Sequence, residues 1–205
     1  MICGIDEAGR GPLAGPVSAA AVVLPPDFPF DVLDDSKKLN AERREEARIL
    51  IYRRAAAWGV GWASAAEIDE VNILRAALLA MKRAYEAMVF NWRAGKGRES
   101  AGLSAVVDGL YVPRIPIPCT AVVRADASVP EVMAASILAK TARDRMMERY
   151  SWFYPEYGYE RHMGYPTKEH RALVMQYGPS PIQRMSFKVS GGKGAAVRKA
   201  SGRPD

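Results

Sequence analysis

Cys3-Gly4-Ile5-Asp6-Glu7-Ala8-Gly9-Arg10-Gly11-Pro12-Leu13-Ala14-Gly15-Pro16 is the stretch on which the reading of this chain turns. A short apolar run ends in two adjacent acids. A glycine-rich turn carrying one arginine follows, and a second apolar run occupies Val17 to Leu24. The pattern reads as strand, tight loop, strand. Neighbouring side chains of a strand point to opposite faces, so Asp6 and Glu7 share a site only if the strand ends or twists between them. Gly9 and Gly11 allow such a break and leave main-chain amides open to a ligand. These residues suit a metal-binding carboxylate pair beside an anion- or sugar-reading loop. Taken alone they suit a β-turn with solvated acids at least as well.

At 205 residues, 49% of them hydrophobic and 25% charged, the chain is long enough for one domain with a substantial core. No apolar run approaches the roughly 20 residues of a membrane-spanning helix. The acids at positions 6 and 7 precede any apolar leader segment, so no secretory signal is expected. Cys3 and Cys119 are too few for a disulfide framework or a cysteine zinc site, which points to two thiols in a reducing cytoplasm. The net charge of +6 is uneven. From Lys188 onward, Lys188, Lys193, Arg198, Lys199 and Arg203 face Asp205 alone, which leaves about +2 on the rest. A nucleic-acid partner would therefore meet a local patch rather than a globally basic surface.

Beyond the second strand, Pro25, Pro26 and Pro29 enforce a loop into Asp34-Asp35-Ser36-Lys37-Lys38-Leu39. Asn40 caps an expected helix through roughly Trp58, and Gly59 to Ser64 reads as a short strand. Val71, Leu74, Leu78, Met81, Tyr85 and Met88 recur at helical spacing up to the glycine loop at Gly95 and Gly97. Ser104 to Val107 is a strand delivering Asp108, and Thr120 to Arg124 is another handing over to Asp126. Ser128 and Glu131 form a capping-box signature with Pro130 in the first turn. The alanine-rich helix that follows sets Val132, Ala135, Ala139, Ala142 and Met146 on one face. A last helix spans Lys168 to Gln176. Residues 1–189 are expected to form one catalytic domain, and 190–205 a basic, disordered tail.

Three strands thus deliver acid near an end: Asp6 with Glu7, then Asp108, then Asp126. Strand ends of an α/β sheet are where sites gather. Four carboxylates in one cleft repel one another unless cations neutralise them, and hard oxygen ligands at a half-open site suit Mg²⁺ or Mn²⁺. Two such ions about 4 Å apart can activate a water and stabilise the leaving oxygen of a phosphodiester. Asp108 before Gly109 also suits an ordinary turn. Only His162 and His170 are present, and the sequence holds no HExxH, P-loop, dinucleotide fingerprint or serine elbow.

In order along the chain stand Gly4-Ile5-Asp6-Glu7-Ala8-Gly9-Arg10-Gly11-Pro12, Asp35-Ser36-Lys37-Lys38-Leu39, Asn72-Ile73-Leu74, Asp108-Gly109 and Asp126-Ala127. Ala134-Ala135-Ser136-Ile137-Leu138-Ala139-Lys140, Arg143-Asp144-Arg145-Met146, and Gly164-Tyr165-Pro166-Thr167 with His170 follow. With these motifs the chain resembles the bacterial ribonuclease HII family from about Ile2 to Lys188. The resemblance implies a ribonuclease H-like α/β fold, with a mixed five-stranded sheet flanked by helices and a helical C-terminal segment. It implies hydrolysis of RNA in RNA–DNA hybrids and incision 5′ of single ribonucleotides in duplex DNA, leaving 3′-hydroxyl and 5′-phosphate ends. Asp6, Glu7, Asp108 and Asp126 match the family's metal-binding acids. Gly9, Arg10 and Gly11 match its loop that reads the 2′-hydroxyl, the group that separates RNA from DNA. Tyr165 matches the aromatic that stacks on the next deoxyribose; a packed loop tyrosine is the plainer alternative. Lys37 and Lys38 are expected at backbone phosphates, with a solvated loop as the competing reading.

The chain departs from the family's pattern at Met163, where lysine is common, and at Gln183, where histidine is usual. Neither position touches the four acids, and a missing lysine charge would weaken backbone contacts. A monomer is expected, with sliding-clamp contact through the C-terminal tail. The competing readings are a two-metal nuclease of the same fold acting on DNA, and a nucleic-acid-binding protein with structural acids.

Overall fold

The computed structural model describes residues 1–33, 39–96 and 102–189, with backbone alone for 94–96. Strands β1 (Ile2–Ala8) and β2 (Val17–Val23) flank the glycine-rich loop. They pair antiparallel from Gly4 opposite Val22 to Ala8 opposite Ser18. The ladder therefore runs through Asp6 and Glu7, and the strand does not end between them. The chain turns instead at Gly9, whose φ of +96° favours a residue without Cβ.

Helix α1 (Ala41–Arg54) begins where Asn40 accepts the Arg43 amide at 2.8 Å. It stops at Arg54 rather than near Trp58, because β3 (Ala57–Ala63) pairs with β2 from Ala57 opposite Val23 onward. A Ser64–Glu67 capping box opens α2 (Ala65–Val71). The long helix expected around Val71 is divided there: Asn72, at φ +71°, separates α2 from α3 (Ile73–Lys96). Strands β4 (Ser104–Asp108) and β5 (Cys119–Val122) follow. Helix α4 (Pro130–Phe153) is preceded by Val129, not Ser128, at its N-cap. A 3-10 turn over Ala125–Ala127 occupies the approach, and the Ser128 hydroxyl donates back to the Arg124 carbonyl at 3.5 Å. Helices α5 (Tyr159–His162) and α6 (Lys168–Tyr177) complete the chain.

The sheet order is β3-β2-β1-β4-β5, with β1, β4 and β5 parallel and β2 and β3 antiparallel to their neighbours. On one face, Cys3, Ile5, Ala19 and Ala21 pack with Ala80, Ala84 and Met88 of α3. On the other, Ala20 and Val22 pack with Ala135, Leu138 and Ala139 of α4 and with Ile51 of α1. β2 is buried along its whole length, which accounts for its unbroken apolar sequence. Each large aliphatic side chain buried in these layers contributes roughly 1.5–3 kcal/mol.

One close approach positions the site. A Cβ on Gly4 would lie 2.0 Å from the Glu131 carbonyl carbon, so the first turn of α4 rests directly on β1. A third cluster, including Met147, Tyr159, Val174 and Ile182, folds the C-terminal segment against Ala14 of the glycine-rich loop.

Candidate active site

β1 outlasts its parallel neighbour. Pairing with β4 ends at Ile5 opposite Val107, whereas pairing with β2 continues to Ala8. The last residues of β1 thus border a cleft of about 340 Å³ beyond the carboxyl end of β4. Asp6, Glu7 and Asp108 line it, with Ser136 and Lys140 entering from α4. Gly9, Arg10, Gly11 and Tyr165 form the remaining wall.

Asp6 is 5% exposed. Its Oδ1 accepts the Glu7 amide at 2.7 Å, and the Ser136 side chain is hydrogen-bonded to its carboxylate. Arg10 Nη1 donates to Glu7 Oε1 at 3.2 Å. Asp108 Oδ1 accepts the Ala125 amide at 2.8 Å, which fastens the end of β4 to the turn carrying Asp126. Asp126 is buried in that turn and does not line the cleft itself. Burial holds the Asp6 carboxyl well above its usual range, reinforced by the charges of Glu7 and Asp108. Burial also raises Glu7, with Arg10 opposing it.

Among the described residues, no three His, Cys, Asp or Glu side chains already converge on one ion-sized point. The donor set nonetheless suits a divalent cation. Hard carboxylate oxygens, crowded and desolvated enough to raise their own affinity for protons, are relieved by positive charge. An open arrangement leaves coordination positions to water and substrate oxygens, as Mg²⁺ prefers.

Tyr165 is 41% exposed, and a Cβ on Gly11 would lie 3.8 Å from its ring. The Leu13 amide donates to the Gly164 carbonyl at 2.8 Å, so the glycine-rich loop and the Tyr165 loop form one rim. His162 and His170 stand behind that rim, stacked with ring centroids 4.4 Å apart. His170 Nδ1 lies 3.0 Å from the Tyr165 carbonyl. His162 Nε2 lies 2.9 Å from the Tyr157 carbonyl, so both rings meet main-chain carbonyls. Lys37 and Lys38 lie outside the described residues.

The sequence reading quoted Ser136 and Lys140 within a motif but gave neither a role at the site. Their signal was a polar pair one helical turn apart in the stretch Ala134–Lys140, which is otherwise apolar. Lys140 is further paired with Asp144, one turn on. Met163 packs its side chain against the third cluster. Gln183 is buried, and its backbone bridges to Ala14.

Carboxylates at the carboxyl ends of parallel strands, on a sheet of this order, put the chain in the class of ribonuclease H-like nucleases. Solved structures share the arrangement. Ribonuclease H2 from Pyrococcus horikoshii superposes with a TM-score of 0.65 at 26% identity, covering 92% of this chain and 94% of that one. The ribonuclease HII of a PCNA:RNase HII complex from Archaeoglobus fulgidus gives 0.64 at 28% identity, covering 90% and 92%. In sequence, a Treponema denticola ribonuclease HII is 57% identical over 201 residues, 92% of this chain and 98% of that relative. The ribonuclease HII family model matches residues 3–190. The chain belongs to the ribonuclease HII family, and its activity is that of a ribonuclease H, an endonuclease hydrolysing RNA in RNA–DNA hybrids.

Proposed function

We propose that the chain also incises duplex DNA 5′ of single embedded ribonucleotides, leaving 3′-hydroxyl and 5′-phosphate ends. One observation carries this reading: a single cleft holds Asp6, Glu7 and Asp108 on one wall and Gly9 to Gly11 with Tyr165 on the other. The first wall suits phosphodiester chemistry, and the second suits recognition of one sugar.

Asp6, Glu7 and Asp108, joined by Asp126 from the turn that Asp108 fastens, would hold two divalent cations, Mg²⁺ or Mn²⁺, which when bound supply an activated water and stabilise the leaving oxygen. Ser136 and the Glu7 amide orient Asp6, and Arg10 orients Glu7. Lys140, steadied by Asp144, offers a cation to the phosphate beside the cut. Backbone amides at Gly9 to Gly11 can reach a 2′-hydroxyl because no Cβ intervenes at the glycines. The Tyr165 ring packs on the following deoxyribose and loses contact where a hydroxyl is added. Lys37 and Lys38 contact backbone phosphates in the same reading.

The chain works as a monomer in the cytoplasm, where Cys3 and Cys119 stay free thiols. Among the described residues no helix is long and apolar enough to cross a membrane. A sliding clamp is the proposed protein partner, through residues 190–205, in keeping with the Archaeoglobus complex.

The test compares a DNA duplex carrying one ribonucleotide, an all-DNA duplex and a continuous hybrid, each with Mg²⁺, Mn²⁺ or EDTA. Metal-dependent cutting 5′ of the lone ribonucleotide, with the all-DNA duplex intact, is the expected result. Cutting of the continuous hybrid alone would remove Tyr165 as junction reader.

A further inference from the structure

Two arginines lie fully buried beneath the glycine-rich loop, Arg143 from α4 and Arg184 from the C-terminal segment. Every hydrogen bond described for either guanidinium ends on a main-chain carbonyl. Arg184 Nη2 donates to Gly9 O at 2.6 Å and to Pro16 O at 3.1 Å. Its Nη1 donates to Arg10 O at 3.0 Å and Pro12 O at 2.8 Å, and its Nε to Gly15 O at 2.8 Å. Arg143 donates to Pro16 O, Ala14 O and Met163 O at 3.0, 3.2 and 2.9 Å. The loop is thus wrapped around one cation contributed from 168 to 175 residues away, with a second beside it.

This wrapping fixes where the loop amides face. In a trans peptide the C=O and the N–H of the same plane point in opposite directions, and no peptide here is cis. With Gly9 O and Arg10 O turned inward to Arg184, the amides of Arg10 and Gly11 are turned outward. Outward is the cleft, since Arg10 and Gly11 line it. Arg143 sets the other half of the rim. A Cβ on Gly9 would fall 2.0 Å from Arg143 Nε, and the Arg143 guanidinium carbon stands 5.8 Å from the centre of the Tyr165 ring.

We propose that Arg184 and Arg143 are the positioning residues of the sugar-reading wall, Arg184 aiming the Arg10 and Gly11 amides into the cleft and Arg143 fixing the gap between Gly9 and Tyr165. The proposal rests on the reading that this wall meets the ribonucleotide. Neither arginine touches substrate. A forked, planar donor set suits the task, because an ammonium cannot reach five carbonyls at once. Burial brings the Arg184 guanidinium down to about 9, with the neighbouring Arg143 charge adding to the effect. Carbonyl dipoles take the place of a carboxylate partner for both.

The experiment measures kcat and KM on a duplex with one ribonucleotide, beside an all-DNA duplex, for wild type, Arg184→Lys and Arg143→Lys. Each rate is normalised to the folded fraction from a thermal melt. Phosphate contacts elsewhere hold the duplex, so a misaimed loop should lower kcat about 10- to 100-fold with KM within about 2-fold. Unchanged kcat per folded molecule, or a rise in KM alone, overturns the proposal. If Arg184→Lys does not fold, Arg143→Lys decides. If neither folds, the arginines hold the domain rather than the loop, and the proposal is again overturned. If wild type cuts the all-DNA duplex as readily, the functional reading itself fails, whatever the variants do.

Discussion

The two walls of the cleft are built in opposite ways. The acid wall comes from strand ends: Asp6 and Glu7 are consecutive in β1, and Asp108 closes the adjacent β4. It gathers like charges and is held against their repulsion by the sheet. The wall proposed to read the sugar is loop, and two cations bonded to its carbonyls lie beneath it. The acid wall crowds desolvated carboxyls together, whereas the loop wall is itself a large part of what joins the C-terminal segment to the loop after β1. Removing a group from the first should therefore spare the fold, and disturbing the buried support of the second should not.

The largest expected effect tests that division directly. Asp6→Asn or Asp108→Asn should lower the cleavage rate by about 1,000-fold, about 4 kcal/mol in the barrier. Asp6→Asn should melt no lower than wild type in EDTA, because it relieves a buried, repelled carboxyl. Wild-type-like turnover in either variant would remove that acid from catalysis. On the other wall, Gly9→Ala forces a Cβ against Arg143 at a φ of +96°. It should cost about 1–3 kcal/mol of stability in denaturant titration and lower the rate as well. Loss of rate without loss of stability would separate the loop from the fold.

Tyr165→Ala probes the exposed part of the same wall. Stability should stay within about 0.5 kcal/mol, while incision at a lone ribonucleotide should drop about 10-fold relative to the continuous hybrid. Equal losses on both substrates would deny the tyrosine any junction role. The smallest effect is in pH, where the two walls carry opposite signs. Burial lowers His162 and His170 from the ordinary value of 6.5. Their share of stability is fully present above 6.5 and is lost as pH falls below it toward the lowered folded values. Asp6 and Glu7 are raised, so their share is fully present below the ordinary carboxylate range and is lost as pH rises through the folded values. Melting wild type and Asp6→Asn across pH in EDTA should flatten only the upper side of the curve. Flattening on the acid side would reverse the assignment.

Much of the acid wall was legible in sequence, since strand patterning and the spacing of acids are local. The sheet and the acids near its strand ends could be read, as could the Asn40 cap. The end of α1 could not, because pairing of Ala57 and Trp58 with β2 overrode a helical pattern. Asn72 hid a division between α2 and α3 inside one apolar period. The face read onto α4 was one residue out at its far end. Arg143 and Met147 are buried there, where Ala142 and Met146 had been expected. An arginine bonded to carbonyls more than a hundred residues away leaves no periodic trace, so the support of the reading wall could only be seen in three dimensions.

The position of Arg184 also orders events during synthesis. All four acids lie within the first 126 residues, and the helix that covers Asp6 is complete at Phe153. The group that shapes the first loop emerges later. A nascent chain released from the ribosome only as far as residue 180 would carry every acid and an unshaped selector. On the proposed reading, the support of the ribonucleotide-reading loop leaves the ribosome after every acid of the site.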